Sequence, residues 1–121
     1  GRLSLPLSNL YSFGNESEIN EINKNIIETQ KQTFLLNTNI SIRQQLQEVE
    51  KLKQLVNVDK EIITLRTSIK ESAKAKLENG VITSNDFIRE LNAEDAALQN
   101  LAIHEIQLLL AEYNYKITTG N

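Results

Sequence analysis

Leu77 to Leu91 reads LENGVITSNDFIREL, and this stretch decides the fold because it is the one strong interruption between two long helical patterns. Asn79 and Gly80 suit the left-handed conformation that closes a helix C-terminus, since glycine has no Cβ to clash and asparagine tolerates that region. Three residues later Thr83 is placed to cap a second helix, with Asp86 answering it at the third helical position and Ile82 placed to pack on Phe87 as a hydrophobic staple. Local chemistry therefore predicts helix, tight turn, helix. Nothing in the turn has the makings of a catalytic constellation.

Working outward toward the N-terminus, residues 16–79 contain no proline or glycine, and apolar stripes recur at Ile19, Ile22 and Ile26 and later at Leu46, Val49, Val56 and Ile63. That spacing predicts one long helix starting near Glu16, where Asn15 and Glu18 repeat the capping arrangement. Its weakest part is Asn37–Ile42, NTNISI, whose β-branched and amide residues lower helix propensity without breaking it. A turn there would fold the first part back into a three-helix bundle; the absence of a true breaker favours a continuous helix. Before it, Leu3, Leu5 and Leu7 alternate with Arg2, Ser4 and Pro6. This is strand periodicity, so residues 1–14 are expected as an extended strand end followed by a turn.

Toward the C-terminus, a turn over residues 80–83 leads into a returning helix over 84–118, with Gly120 as its cap. At 1.5 Å per residue the two helices would be roughly 95 Å and 50 Å long, so they cannot pair along their full lengths. An antiparallel pairing brings Ile117 near Leu46 and leaves Glu16 to about Gln44 without a partner from the returning helix. That helix is also apolar on two sides: Ile103, Ile106, Leu110, Tyr113 and Ile117 lie on one, with Leu101, Leu108 and Tyr115 nearly opposite. A hairpin needs one such face. Two imply further neighbours, as in a wall of side-by-side helices or a bundle core.

The composition narrows the function classes. With 121 residues, 40% apolar and 24% charged, the chain fits one folded domain. The net charge of -3, with basic residues scattered among acids, offers no stripe for phosphates, so nucleic acid is not expected as a partner. The absence of cysteine excludes disulfides and thiolate metal sites and leaves the redox compartment open. No run reaches the roughly 18 apolar residues of a membrane helix. No leader precedes Arg2; Gly1 and the stop after Gly120 read as ends of a cut fragment, and an exported parent would have lost its signal.

Catalysis has no foothold in the pattern. His104 is the only histidine and forms no Glu-x-x-His pair, so it is expected on a solvent-facing side. Glu94, Asp95, Glu105 and Glu112 are expected as solvated helix charges rather than an acid and base pair. Gly80 has no phosphate-cradling context, and Ser84 has no base near it in sequence. The expectation is no enzyme, no cofactor and no metal.

One resemblance adds to these readings. GVITSNDFIRELNAEDAALQNLAIHEIQLLLAEYNYKITTG is similar to the tip and returning helix of the TolC-like outer membrane efflux family. Gly80, Thr83, Ser84, Asp86 and Phe87 take the places of the family's tip pattern, and Tyr113, Tyr115 and Gly120 those of its closing stretch. LSLPLSN resembles the strand leading into the family's long helix, through Leu5, Pro6 and Leu7. The resemblance implies a periplasmic helical hairpin, part of a homotrimeric channel anchored in the outer membrane by barrel strands from elsewhere in the parent. A shorter stacked helix completes the pairing in that family. It further implies that a tip of Gly80, Val81, Thr83 and Ser84 docks a periplasmic adaptor (membrane fusion) protein serving an inner membrane pump, while Asp86 and Arg89 border the channel opening. The chain departs from the family at Leu77, where a tyrosine is frequent, and at Arg89, where some members carry a second acid; Asp86 and Arg89 are thus expected to pair or to alternate around the opening.

The fold expected is all-α: a long antiparallel helical hairpin, coiled-coil-like, with a short extended N-terminal segment. Its function is expected to be part of the periplasmic tunnel of a trimeric efflux or secretion channel that gates by helix movement. The alternative is a structural coiled-coil or three-helix interaction module with no transport role.

Overall fold

The structure, a computed structural model, describes the backbone of residues 4–120 and the side chains of residues 17–120. It has two helices, α1 (Ser4–Glu78) and α2 (Ser84–Thr119), and no strand among the described residues. The helices pack against each other as a hairpin.

The N-terminal expectation needs correcting. α1 begins at Ser4 rather than near Glu16, so Leu5, Pro6 and Leu7 and the expected turn over Ser8–Gly14 are helical; Gly1, Arg2 and Leu3 lie outside the described residues. Pro6 falls in the first turn, where backbone N–H groups have no intrahelical acceptor and proline removes nothing. A lone strand would leave its own backbone groups unpaired, whereas a helix satisfies them within the segment.

The chain divides into two units, Gly1–Ser41 and Ile42–Asn121. In the first unit every described side chain from residue 17 to residue 37 is exposed, including Ile19, Ile22, Ile26, Phe34 and Leu35. The NTNISI stretch is helical, so the expected weak point forms no turn; its propensity deficit is only tenths of a kcal/mol per residue.

The second unit is a hairpin built on one repeating seam. From Ile42 to Leu77 the buried and half-buried positions of α1 include 42, 45, 49, 52, 56, 59, 63, 66, 70, 73 and 77, in alternating steps of three and four. α2 answers with 87, 90, 94, 97, 101, 104, 108, 111 and 115 on the same alternation. This is the 3.5-residue period of a coiled coil, which keeps one stripe of each helix facing the other. Val49, Leu52, Val56, Ala73 and Ala97 are its buried apolar residues; full burial of a valine or leucine side chain stabilises by about 1.5–3 kcal/mol. Leu46, Val49, Tyr115 and Thr119 line one groove, and Gln45, Glu48, Ile117 and Thr118 another. Ile117 thus lies at the level of Gln45 and Glu48, and Tyr115 and Thr119 at the level of Leu46 and Val49, so the two helices run antiparallel.

The face of α2 turned away from the seam keeps its apolar character. Ile103, Ile106, Leu110, Tyr113 and Ile117 follow the same three-four spacing, and each is more than half exposed. Leu101, Leu108 and Tyr115, on the opposite side, are half-buried.

Candidate functional site

The hairpin tip is built from two helix terminations. At the end of α1, Val81 N–H donates to the Lys76 carbonyl at 2.8 Å and Gly80 N–H to the Leu77 carbonyl at 3.0 Å. This pair of bonds is a Schellman closure, which requires the left-handed residue that Gly80 supplies at φ 72°. A Cβ at Gly80 would meet no atom within 4 Å, so the demand for glycine comes from the backbone angle alone. Val81 follows at 70% exposure, an apolar side chain standing in water at the apex.

At the start of α2, Asp86 N–H donates to Thr83 Oγ1 at 3.2 Å, and Thr83 N–H donates to Asp86 Oδ2 at 3.1 Å. This reciprocal capping box satisfies two of the donors that every helix start leaves open. The Thr83 backbone bond holds the Asp86 carboxyl below the usual carboxylate range, helped by the Thr83 hydroxyl and, less, by the Arg89 charge. Arg89 Nη2 lies 3.7 Å from Asp86 Oδ1, one turn along α2. Asp86 and Arg89 therefore pair within this chain. Ile82 and Phe87 are half-buried beneath the turn, while Thr83 and Ser84 are exposed.

Just behind the tip, a groove runs between Ser68, Ser72, Ala73 and Lys76 of α1 and Asp86 and Glu90 of α2, with Ile82 at its end. Its α1 side combines the small Ser68, Ser72 and Ala73 with the longer Ile69 and Lys76. Glu90 Oε2 is buried there without a hydrogen-bond partner, and Arg66 Nη1 is its nearest cation at 3.9 Å.

Two sequence expectations are overturned in the seam. His104 does not face solvent: its side chain is 26% exposed, and its Nδ1 lies 2.5 Å from Oδ2 of Asp59, itself buried at 9% side-chain exposure. Glu94 is not a solvated charge. Lys70 Nζ sits 3.0 Å from its carboxylate, and the Thr67 hydroxyl donates to the same group at 2.9 Å. The Lys70 hydrogen bond, then that of Thr67, holds Glu94 below the ordinary carboxylate range, and the same Glu94 bond raises Lys70. Asp59, Arg66, Lys70, Glu90, Glu94 and His104 all occupy seam positions. The signal that finds them is the three-four spacing itself, followed through polar residues as well as apolar ones.

Among the described residues no group of three His, Cys, Asp or Glu side chains could hold a metal ion, and no helix is long and apolar enough to cross a membrane. No protein-family model, curated protein or solved structure matches the chain.

Proposed function

We propose that this hairpin is part of the periplasmic tunnel of a TolC-like, trimeric outer membrane efflux or secretion channel, acting as a conduit and not as an enzyme. The observation that carries the reading is the second apolar face of α2. Its stripe from Ile103 to Ile117 is spaced like the hairpin's own seam and is left exposed, which is the property of a helix with neighbours on two sides. The tip pattern from Gly80 to Phe87, similar to that family's, supports the placement.

In this reading Gly80, Val81, Thr83 and Ser84 form the surface that docks a periplasmic adaptor protein, which links the channel to an inner membrane pump. Asp86 and Arg89 border the opening. The three-four seam of the second unit also fits a coiled-coil interaction module without transport, and the tip discriminates the two readings, because only a docking tip is sensitive to a folded substitution at its apex. The test uses the full-length parent protein with Gly80→Asn, since asparagine tolerates the left-handed angle and adds a side chain into open space. Loss of export and of adaptor cross-linking with an unchanged melting temperature supports the channel. Unchanged export and cross-linking leaves the tip with a structural role only.

A further inference from the structure

The three-four seam divides the second unit into two broad sides, and helix geometry assigns the residues flanking it to one or the other. On one side α1 presents Leu55, Ile62, Leu65 and Ile69, and α2 presents Ile103, Leu110 and Ile117. The remaining positions of that side, from 55 to 72 on α1 and from 93 to 117 on α2, are uncharged as well. The opposite side carries Glu50, Lys53 and Lys60 of α1 and Asp95, Glu105 and Glu112 of α2. The grooves follow the same division: Ile69, Ser72, Lys76 and Asp86 line one on the uncharged side, while Leu46, Lys53, Glu112 and Thr119 line one on the charged side. Ile62, Leu65, Ile103, Leu110 and Ile117 are between 41% and 61% exposed. A hairpin wet on both sides would carry charges on both.

We propose that the uncharged side is the interface for a second copy of this chain, the two hairpins lying face to face with their tips at the same end and α1 of each on α2 of the other. A two-fold axis parallel to the helices produces that arrangement, in which one patch serves both copies. The pairing goes beyond the tunnel reading and does not rest on it.

Size, shape and charge favour this occupant. From Ile69 to the level of Ile117 the side is roughly 35 Å long, and two helices make it roughly 20 Å wide. Its area, on the order of 700 Å², exceeds the apolar patch a monomer usually leaves in water and approaches the roughly 800 Å² per partner of a stable interface. The Asp59–His104 and Lys70–Glu94 contacts fix which residues stand level across the seam, and the axis carries those levels to the partner copy. Leu65 and Ile69 then meet the partner copy's Ala96 and Ala93, large side chains over small ones, as close packing requires. Toward the tip, Lys76 stands level with the partner copy's Asp86, a base opposite an acid. At the other end, Lys51 and Glu48 pair with each other. The apolar centre thus has a polar rim at both ends, the anatomy of a protein interface.

Sedimentation equilibrium of the 121-residue chain should show a dimer. Ile62→Glu with Leu65→Glu, both outside the seam, should raise the dimer dissociation constant about a hundredfold or more with helix content unchanged. Because the chain has no cysteine, introduced thiols report the packing independently of those variants. Chains carrying Leu65→Cys and chains carrying Ala96→Cys, mixed and oxidised, should cross-link to one another, whereas Lys60→Cys with Ala102→Cys on the charged side should not. A monomer at every concentration, association indifferent to the two glutamates, or cross-linking no greater at 65 and 96 than at the control pair overturns the proposal, and none of these outcomes bears on the tip.

Discussion

Thr83 and Asp86 cap one another across the first turn of α2, each backbone N–H donating to the other's side-chain oxygen. The pair fixes where α2 starts and so sets the length of the turn that carries Val81. Thr83→Ala should cost about 1 kcal/mol of hairpin stability and fray the first turn. Thermal unfolding and amide exchange at residues 84–87 measure both; protection unchanged at those amides would contradict the role.

The seam should respond to truncation according to position rather than hydrophobicity. Leu52, 3% exposed, and Val58, 47% exposed, lie on the same helix six residues apart. Leu52→Ala should destabilise by about 2–3 kcal/mol, and Val58→Ala by no more than about 0.5 kcal/mol in the isolated chain. Comparable losses at the two sites, read by denaturant titration, would contradict the assigned seam.

Stability should have two pH edges, set by the Lys70–Glu94 contact. Glu94 is held below its ordinary value by Lys70 and then Thr67, so its contribution is present above the ordinary carboxylate range and is lost as pH falls through the lowered value. Lys70 is raised by the Glu94 hydrogen bond; its contribution is present below the ordinary lysine range and is lost as pH rises through the raised value. Glu94→Gln should soften both edges at once, because it removes the common contact. Two edges as sharp in that variant as in the unsubstituted chain would show that other groups set them.

The turn and the capping box were legible because their chemistry is local: Gly80 and Thr83 answer demands made by residues within a few positions. Helix arithmetic found the antiparallel pairing, which sets the end of α2 at the level of residues 45–49 of α1. The N-terminal segment was misread because the Leu3, Leu5, Leu7 alternation is too short to outweigh the backbone pairing a helix makes for itself, and because Pro6 is harmless in a first turn. His104 and Glu94 were misread for a different reason. Reading only apolar residues hides a seam in which Asp59, Arg66 and Lys70 hold core positions, and partners 24 and 45 residues away cannot be identified until the helices are set side by side.

The exposed stripe of α2 should drive association. Chains should self-associate through Ile103, Ile106, Leu110, Tyr113 and Ile117, and Ile106→Glu with Leu110→Glu should shift them toward monomer without lowering helix content. Sedimentation velocity over a concentration series measures this, and a strict monomer at the highest concentration would count against the stripe as an interface.

The most direct test of the channel reading is photo-cross-linking in the intact envelope of the parent cell, with a photoreactive residue placed at Val81 and, as a control, at Val58. The account predicts that position 81 captures a periplasmic adaptor protein while position 58 yields none of that product. Capture of the adaptor from position 58 but not from position 81, or from neither in cells where export is active, would contradict a docking tip.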